Sequence, residues 1–410
     1  MTAILISATT VDSREDQSHA LIGGYAKLAR IAPSSRKWAP NEHHLLIRAC
    51  IFLFFLGLTL TCGAIDCISA GASANVPSGW PWRGVSVNNL TFNPDELGRI
   101  KETLPEMNAM RLVIKPRLLA ERKRLEPQRA WKDSLTWLRN MLTQCQTLGI
   151  IGVVSMNEFP VDPSLRITQS SPEFWGNRTY LDEVIAKTEA LIKQIKPFTS
   201  LGAVELISEP EVRRQGKVSV PPQWQDLLGR IVKTIRTHSD VWIVATPAPG
   251  GIPVSYVGFL PLDDPHILYN MHMYVPYAFT HQGIGKRTEE YHYLGTIQGQ
   301  YWNKGRIEAT LAQVAWFQRE HSVPIWVGEF SAARWAPGGE AYLEDLADIF
   351  SRNNWGWAYF NVGGMHAWNP DYSDQRANVG TVDWKAQHTG LKSERWATLR
   401  TIIRRAGQAP

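Results

Sequence analysis

From Trp82 to the C-terminus, short apolar runs alternate with longer stretches that carry apolar residues at helical spacing. The runs are predicted as strands, because they are short, rich in β-branched and aromatic residues, and bounded by Gly, Pro or polar residues. The longer stretches are predicted as helices, with Leu135, Leu138 and Leu142 as one example of the spacing. Eight strands are predicted in this way: 82–87, 107–114, 150–157, 204–209, 241–246, 267–274, 323–330 and 356–362.

Eight strands alternating with helices predict a closed (β/α)8 TIM barrel, an α/β fold whose closure needs that number. A doubly wound open sheet is the competing arrangement. It is disfavoured because no Gly-rich phosphate-binding loop follows the first predicted strand. Residues 75–410 are therefore predicted to form a single domain.

The chain before this domain divides into two parts. Residues 1–48 have mixed charge and little hydrophobic periodicity, which predicts a disordered leader. Residues 49–74 begin with an uncharged apolar run, follow Arg48, and end in the small residues 72–74. This pattern predicts a cleaved signal peptide or an uncleaved membrane anchor, and both place the domain outside the cytoplasm, periplasmic or extracellular.

Composition narrows the classes of function. A net charge of +5 over 410 residues, without a long basic run, argues against nucleic acid as a partner. Only Cys145 of the four cysteines falls in the domain, so neither an internal disulfide nor a thiolate metal site is expected, and no cofactor is predicted. The 17 tryptophans favour a carbohydrate ligand, because indole faces stack on the apolar faces of sugar rings.

In a (β/α)8 barrel the chemistry lies at the C-terminal ends of the strands. Glu209 and Glu329 each end a predicted strand, and two such carboxyls are what glycoside cleavage requires. Both are Glu rather than the shorter Asp and reach inward from opposite rims, which favours a close pair and net retention. The other candidate residues near strand ends are predicted to bind substrate: Arg111, Asn157, Ser208, His272, Tyr274, Phe360 and Trp368.

Several short motifs resemble glycoside hydrolase family 5, the cellulase family, within the clan of (β/α)8 retaining glycosidases. The most specific is 272–283, HMYVPYAFTHQG, which resembles the sixth-strand segment of bacterial members. Ser208-Glu209-Pro210 is similar to the Asn-Glu-Pro motif, 326–330 (WVGEF) to the nucleophile motif, and 110–112 (MRL) to the second-strand motif. The resemblance implies that Glu209 is the acid/base, that Glu329 is the nucleophile, and that Arg111 supports Glu329.

The chain departs from the family pattern at three positions. Ser208 stands where the family has an asparagine that binds the sugar 2-hydroxyl, and Asn157-Glu158 stands where many members have histidine. Phe360 stands where a tryptophan platform is expected, although Trp368 is close in sequence. Substrate detail is therefore less well predicted than the two acids.

Four of the candidates also have a purely structural interpretation. Arg111 could form an ion pair inside the barrel with Glu205, His272 and Tyr274 could be core residues, and Asn157 could make a turn. Two functional hypotheses follow from the sequence. One is an exported retaining glycosidase that cleaves a β-glucan-type polysaccharide. The alternative is a catalytically weak carbohydrate-binding relative, or a transglycosylase that remodels polysaccharide.

Overall fold

A computed structural model describes residues 75–285, 287–375 and 387–408 of the chain. Eight parallel strands close into a barrel, in which each strand pairs with its neighbours in chain order and the last pairs with the first. The strands are β1 Arg83–Asn88, β2 Ala109–Ile114, β3 Ile151–Met156, β4 Leu201–Leu206, β5 Trp242–Ala245, β6 Ile267–Met273, β7 Ile325–Phe330 and β8 Gly356–Tyr359. The predicted (β/α)8 architecture is confirmed.

Helices connect the strands and cover the outside of the barrel. The main helices are Leu97–Thr103, Pro116–Lys123, Pro127–Thr147, Arg178–Ile195, Trp224–Arg236, Lys304–His321, Gly339–Arg352 and Glu394–Gln408, with short helices at Pro172–Gly176 and Tyr277–Thr280. Two small hairpins lie in the loops that follow β4 and β6. They are Val212–Arg214 with Lys217–Ser219, and Gly295–Ile297 with Gln300–Trp302.

Side chains inside the barrel form two layers of different chemistry. The lower layer is apolar and receives one buried residue from each strand or the position just before it: Trp82, Ala109, Val153, Ala203, Val244, Leu268, Trp326 and Ala358. Two or three residues further along several strands, the inward positions are polar and include Arg111, Glu205 and Asn270. A separate and larger apolar core lies between the strands and the helices. The apolar layer fills the end of the barrel where the strands begin, so the polar layer faces the end where the strands finish.

Some predicted boundaries were wrong in ways that matter for the site. β4 ends at Leu206 rather than at Glu209, and β8 ends at Tyr359, before Phe360. Glu209 is therefore a loop residue three positions beyond its strand. The leader and the export segment lie outside the described residues. Among the residues described, no helix is long and apolar enough to span a membrane.

Candidate active site

Arg111 on β2 is the centre of the polar layer. Its side chain is fully buried, and its Nη2 donates to Glu205 Oε2 at 2.7 Å while its Nη1 donates to Glu329 Oε1 at 2.8 Å. Nη2 also donates to Ser208 Oγ at 2.6 Å and to Ser155 Oγ at 3.1 Å. Burial opposes the positive charge, but Glu205 and Glu329 outweigh it and raise the pKa of the guanidinium. Arg111 therefore forms the ion pair with Glu205 that its structural interpretation expects, and the same guanidinium also contacts Glu329.

Glu205 anchors this arrangement from inside the barrel. Its second oxygen, Oε1, accepts a hydrogen bond from Asn270 Nδ2 at 2.7 Å, and Thr246 Oγ1 lies 3.4 Å away. Both oxygens of this fully buried carboxylate thus have donors, which is the condition under which a buried ion pair is tolerated. Glu205 fixes the position of Arg111, and Arg111 in turn fixes that of Glu329.

A β-bulge turns Glu329 into the barrel. β7 pairs with β6 as Val327 with Met271, then Glu329 with His272, so two residues of β7 advance for one of β6. Val327 belongs to the outer core, the apolar core between the strands and the helices. Strict alternation along β7 would therefore point Glu329 outward as well. The extra residue reverses that direction, and the carboxylate meets Arg111 inside the barrel.

Gly328 is the extra residue of the bulge. Its backbone N donates to Asn270 Oδ1 at 3.0 Å, and a Cβ added there would lie only 2.6 Å from that oxygen. A side chain at this position would displace the Asn270 amide, which also donates to Glu205 at 2.7 Å. The glycine therefore leaves room for the hydrogen bonds that hold Glu205 in place.

An unusual backbone conformation directs Ser208 inward. Ile207 has φ +62°, the left-handed region that β-branched residues rarely occupy, and its side chain is buried in the outer core. The kink breaks the alternation after Leu206, so Ser208 faces the same interior as Glu205. Asn157 holds the kinked segment, because its Oδ1 accepts from the Ser208 backbone N at 2.9 Å.

Glu329 is held as a carboxylate. Its side chain is 12% exposed, and its Oε2 accepts a hydrogen bond from Tyr274 Oη at 3.0 Å. Burial favours the neutral form, but the positive charges of His272 and Arg111 and the hydrogen bonds from Arg111 and Tyr274 outweigh it. The net effect lowers the pKa of the Glu329 carboxyl, as a nucleophile needs.

Glu209 sits on the open side of the same cluster. Its side chain is 42% exposed, and His272 Nδ1 lies 2.8 Å from its Oε1. One carboxylate oxygen of Glu209, one of Glu329 and a ring nitrogen of His272 all lie within 4.8 Å of one another. Two carboxylates and an imidazole could coordinate a cation, but Arg111 already places a positive charge on Glu329. The arrangement suits acid–base and nucleophilic chemistry better than metal binding.

The remaining predicted residues lie nearby in supporting positions. Trp368 is only 7% exposed: its ring stacks on Tyr274 at a centroid distance of 5.3 Å, and its Nε1 donates to the Thr280 carbonyl at 3.1 Å. It is a packing residue behind Tyr274 rather than an open platform. Phe360 is half-buried and packs edge-on against Trp368. Of the predicted set, the structure brings Arg111, Ser208, Glu209, His272, Tyr274 and Glu329 into one connected cluster.

Sequence reasoning missed Ser155, Thr246 and Asn270, which complete the hydrogen bonding of Arg111 and Glu205. Asn270 could have been found, because it precedes His272 by two residues and so shares its face of β6. Ser155 likewise precedes the candidate Asn157 by two residues, and Thr246 ends the predicted fifth strand, so both carry a similar signal.

Residues 179–366 match the family model described as Cellulase (glycosyl hydrolase family 5). The crystal structure of endoglucanase Cel5A from the hyperthermophile Thermotoga maritima superposes with a TM-score of 0.58 at 16% identity, covering 78% of this chain and 96% of that one. A crystal structure described only as a glycoside hydrolase gives 0.59 at 17% identity, covering 78% and 99%. The clostridial cellulose synthase subunit Z from Clostridioides difficile gives 0.56 at 14% identity, covering 78% and 99%. No curated protein matches the sequence significantly. At such identities the structural likenesses establish the fold alone.

Proposed function

We propose that this glycosidase cleaves β-glycosidic bonds of a β-glucan-type polysaccharide with retention of configuration, and the match of residues 179–366 to the glycosyl hydrolase family 5 model supports the proposal. The observation that carries the proposal is the close approach of Glu209 and Glu329, whose nearest carboxylate oxygens lie within 4.8 Å. Retaining glycosidases hold their two carboxyls about 5–5.5 Å apart, whereas inverting enzymes need about 6.5–9.5 Å to admit a water molecule.

In the proposed reaction Glu329 attacks the anomeric carbon while Glu209 gives its proton to the leaving oxygen. The C–O bond to the leaving group breaks as the bond to the Glu329 carboxylate forms, giving a glycosyl-enzyme. Glu209, now ionised, then takes a proton from water, and the resulting hydroxide releases the sugar and restores Glu329. The contacts of Arg111 and Tyr274 with Glu329 support its role as the ionised partner. The exposure of Glu209 supports its role as the partner that water reaches.

The substrate class is supported by the family and by the ligands of similar structures. Thermotoga maritima Cel5A has been crystallised with cellobiose and with mannotriose, which are short β-linked saccharides. We propose a β-linked oligo- or polysaccharide for this chain as well.

The test is hydrolysis of a panel of β-1,4-glucan, β-1,3-glucan and mannan, with product lengths measured and the first-formed anomer identified by proton NMR. Glu329→Gln should abolish turnover on every substrate, whereas the exposed substitution Glu344→Gln should not change it. An inverted first product, or full activity in Glu329→Gln, would remove the mechanism. Saccharide binding without turnover would instead identify a catalytically weak binding relative.

We also propose that the domain is exported. The support is the uncharged run within 49–74, which basic residues precede and small residues follow. N-terminal sequencing of the mature protein should find a start near Asn75 if the segment is cleaved. An intact Met1 on a protein recovered from the cytoplasm would contradict export.

A further inference from the structure

The imidazole of His272 contacts both acids, and its two ring nitrogens have different partners. Nδ1 lies 2.8 Å from Glu209 Oε1 and 3.9 Å from Glu329 Oε2. Nε2 instead lies 3.2 Å from Asn270 Nδ2 and 3.4 Å from Ser208 Oγ. A neutral imidazole carries its proton on only one of the two nitrogens, and the hydrogen-bond partners decide which one.

Asn270 can only donate to Nε2, because two other contacts fix the orientation of its amide. Its Oδ1 accepts from the Gly328 backbone N at 3.0 Å, and its Nδ2 donates to Glu205 Oε1 at 2.7 Å. Exchanging the amide oxygen and nitrogen would set the oxygen against a carboxylate and the nitrogen against a backbone N–H. The atom that faces the His272 ring is therefore the amide nitrogen.

Ser208 presents a second donor to the same ring nitrogen. Its Oγ accepts from Arg111 Nη2 at 2.6 Å, so its own hydroxyl proton is available for His272 Nε2. Both of these polar neighbours of Nε2 thus have protons to donate, whereas the polar neighbours of Nδ1 are carboxylates. The surroundings of the ring favour a proton on Nδ1 and a bare Nε2.

The charges around the ring decide the pH at which it becomes neutral. Burial favours the neutral form, but Glu329 and Glu209 outweigh it, against the positive charge of Arg111, and raise the pKa of His272. The ring is therefore an imidazolium at low pH and loses one proton as the pH rises. Because Asn270 donates at Nε2, that proton leaves Nε2, and Nδ1 keeps its proton in both states.

We propose that Asn270 is a positioning residue that keeps the proton of His272 on Nδ1 and thereby keeps the acid proton of Glu209 on its other oxygen, Oε2. A bare Nδ1 would accept the Glu209 proton, which would then be withheld from the leaving oxygen. A protonated Nδ1 donates to Glu209 Oε1 instead, whether Glu209 is neutral or ionised, so Oε2 carries the acid proton. This inference rests on the acid/base role proposed for Glu209.

Nitrogen NMR of the full chain with isotope-labelled histidine tests the proton positions without any turnover. Nitrogen shifts and N–H couplings distinguish protonated from bare ring nitrogens, and His272→Gln identifies the signals by their loss. Above the pKa of the ring, the wild-type protein should show a protonated Nδ1 and a bare Nε2. A neutral ring with its proton on Nε2, or a ring that never becomes neutral in the folded protein, would overturn the inference.

Asn270→Leu removes the donor and keeps a side chain of similar size. In this variant part of the neutral His272 ring should carry its proton on Nε2, and a proton held wholly on Nδ1 would overturn the role of Asn270. Thr246→Val is the matched control, because Thr246 Oγ1 lies 3.4 Å from Glu205 Oε1, the oxygen that Asn270 also contacts. It removes a neighbour of the same carboxylate, leaves Asn270 in place, and should keep the wild-type pattern. If Asn270→Leu does not fold, the proton positions in the wild-type protein decide.

Kinetics connect the proton position to catalysis. Relative to Thr246→Val, kcat/KM of Asn270→Leu on a soluble oligosaccharide should fall by about tenfold or more, because general acid catalysis contributes about 10²–10⁴-fold. With a dinitrophenyl glycoside the fall should be much smaller, because that leaving group departs without a proton. Equal losses on both substrates would overturn this inference and leave the proposed function intact. If the wild-type protein turns over neither, the proposed function fails, and the NMR measurement alone decides whether Asn270 keeps the proton on Nδ1.

Discussion

Removing the hydroxyl of Tyr274 is the simplest way to test the ionisation of Glu329, the proposed nucleophile. Tyr274→Phe removes the donor that lies 3.0 Å from Glu329 Oε2 and leaves the ring stacked on Trp368. Because that hydrogen bond stabilises the ionised carboxyl more than the neutral one, its loss raises the pKa of Glu329. The acidic limb of kcat/KM should therefore move to higher pH.

The size of the shift follows from the strength of the bond. A hydrogen bond to a charged group contributes about 1.5–3 kcal/mol, and one pH unit corresponds to about 1.36 kcal/mol. The expected displacement is thus about one to two pH units. Water can replace little of the lost hydrogen bond, because the Glu329 side chain is only 12% exposed. Burial and the charges of Glu329 and Glu209 raise the pKa of Tyr274 well above its usual value, so the wild-type donor persists across the assay range.

The assay is kcat/KM against pH on one soluble oligosaccharide, with a thermal melt of each variant to check folding. Tyr301→Phe is the control, because Tyr301 is 60% exposed on the hairpin after β6. An acidic limb that stays in place, or moves to lower pH, in a folded Tyr274→Phe would refute the assignment of Glu329 as the group that must be ionised.

Three further outcomes are expected. Glu205→Ala leaves the buried charge of Arg111 short of its main partner and should lower the free energy of unfolding by about 3–5 kcal/mol in denaturant titrations; a loss as small as that of the exposed control Glu344→Ala would count against this account. Ser208→Asn should lower kcat/KM, because the larger amide must fit where Oγ lies 2.6 Å from Arg111; a rise above about tenfold would contradict it. Glu209→Gln should spare the first step on a nitrophenyl glycoside and show a burst in rapid-mixing experiments, whereas a loss equal to that on saccharides would contradict its role as the acid.

The barrel was predictable because strand alternation and helix spacing are local properties of the sequence. Arg111, His272 and Tyr274 were found for the same reason, since each lies in phase with its strand. Glu329 and Ser208 were found from their places at strand ends and from their motifs, whereas alternation assigns them to the wrong face. Their true direction depends on the bulge at Gly328 and on the left-handed backbone of Ile207. Tertiary contacts impose both features, and periodicity does not record them.

The burial of Glu211, whose side chain is 2% exposed, could not be predicted from the sequence. Glu211 lies in the charged segment 209–214, a composition typical of an exposed loop, and no local pattern indicates that one of the two glutamates there is buried. Its burial depends on the loop after β5, some forty positions away, which closes over it through Gly250. Long-range packing of this kind cannot be deduced from a single sequence.

The bulge at Gly328 interrupts the regular pairing of β7 with β6, and it also brings Glu329 to Arg111. If β7 kept Gly328 and paired with β6 without interruption, Gly328 would lie opposite His272, and the regular ladder would be the better sheet. Glu329 would then lie opposite Met273 and point out of the barrel into the apolar outer layer, away from Arg111. Selection for thermal tolerance alone would therefore favour a register in which Glu329 no longer reaches Arg111. Stabilisation campaigns on this scaffold should keep the bulge of β7 and screen for turnover at every round.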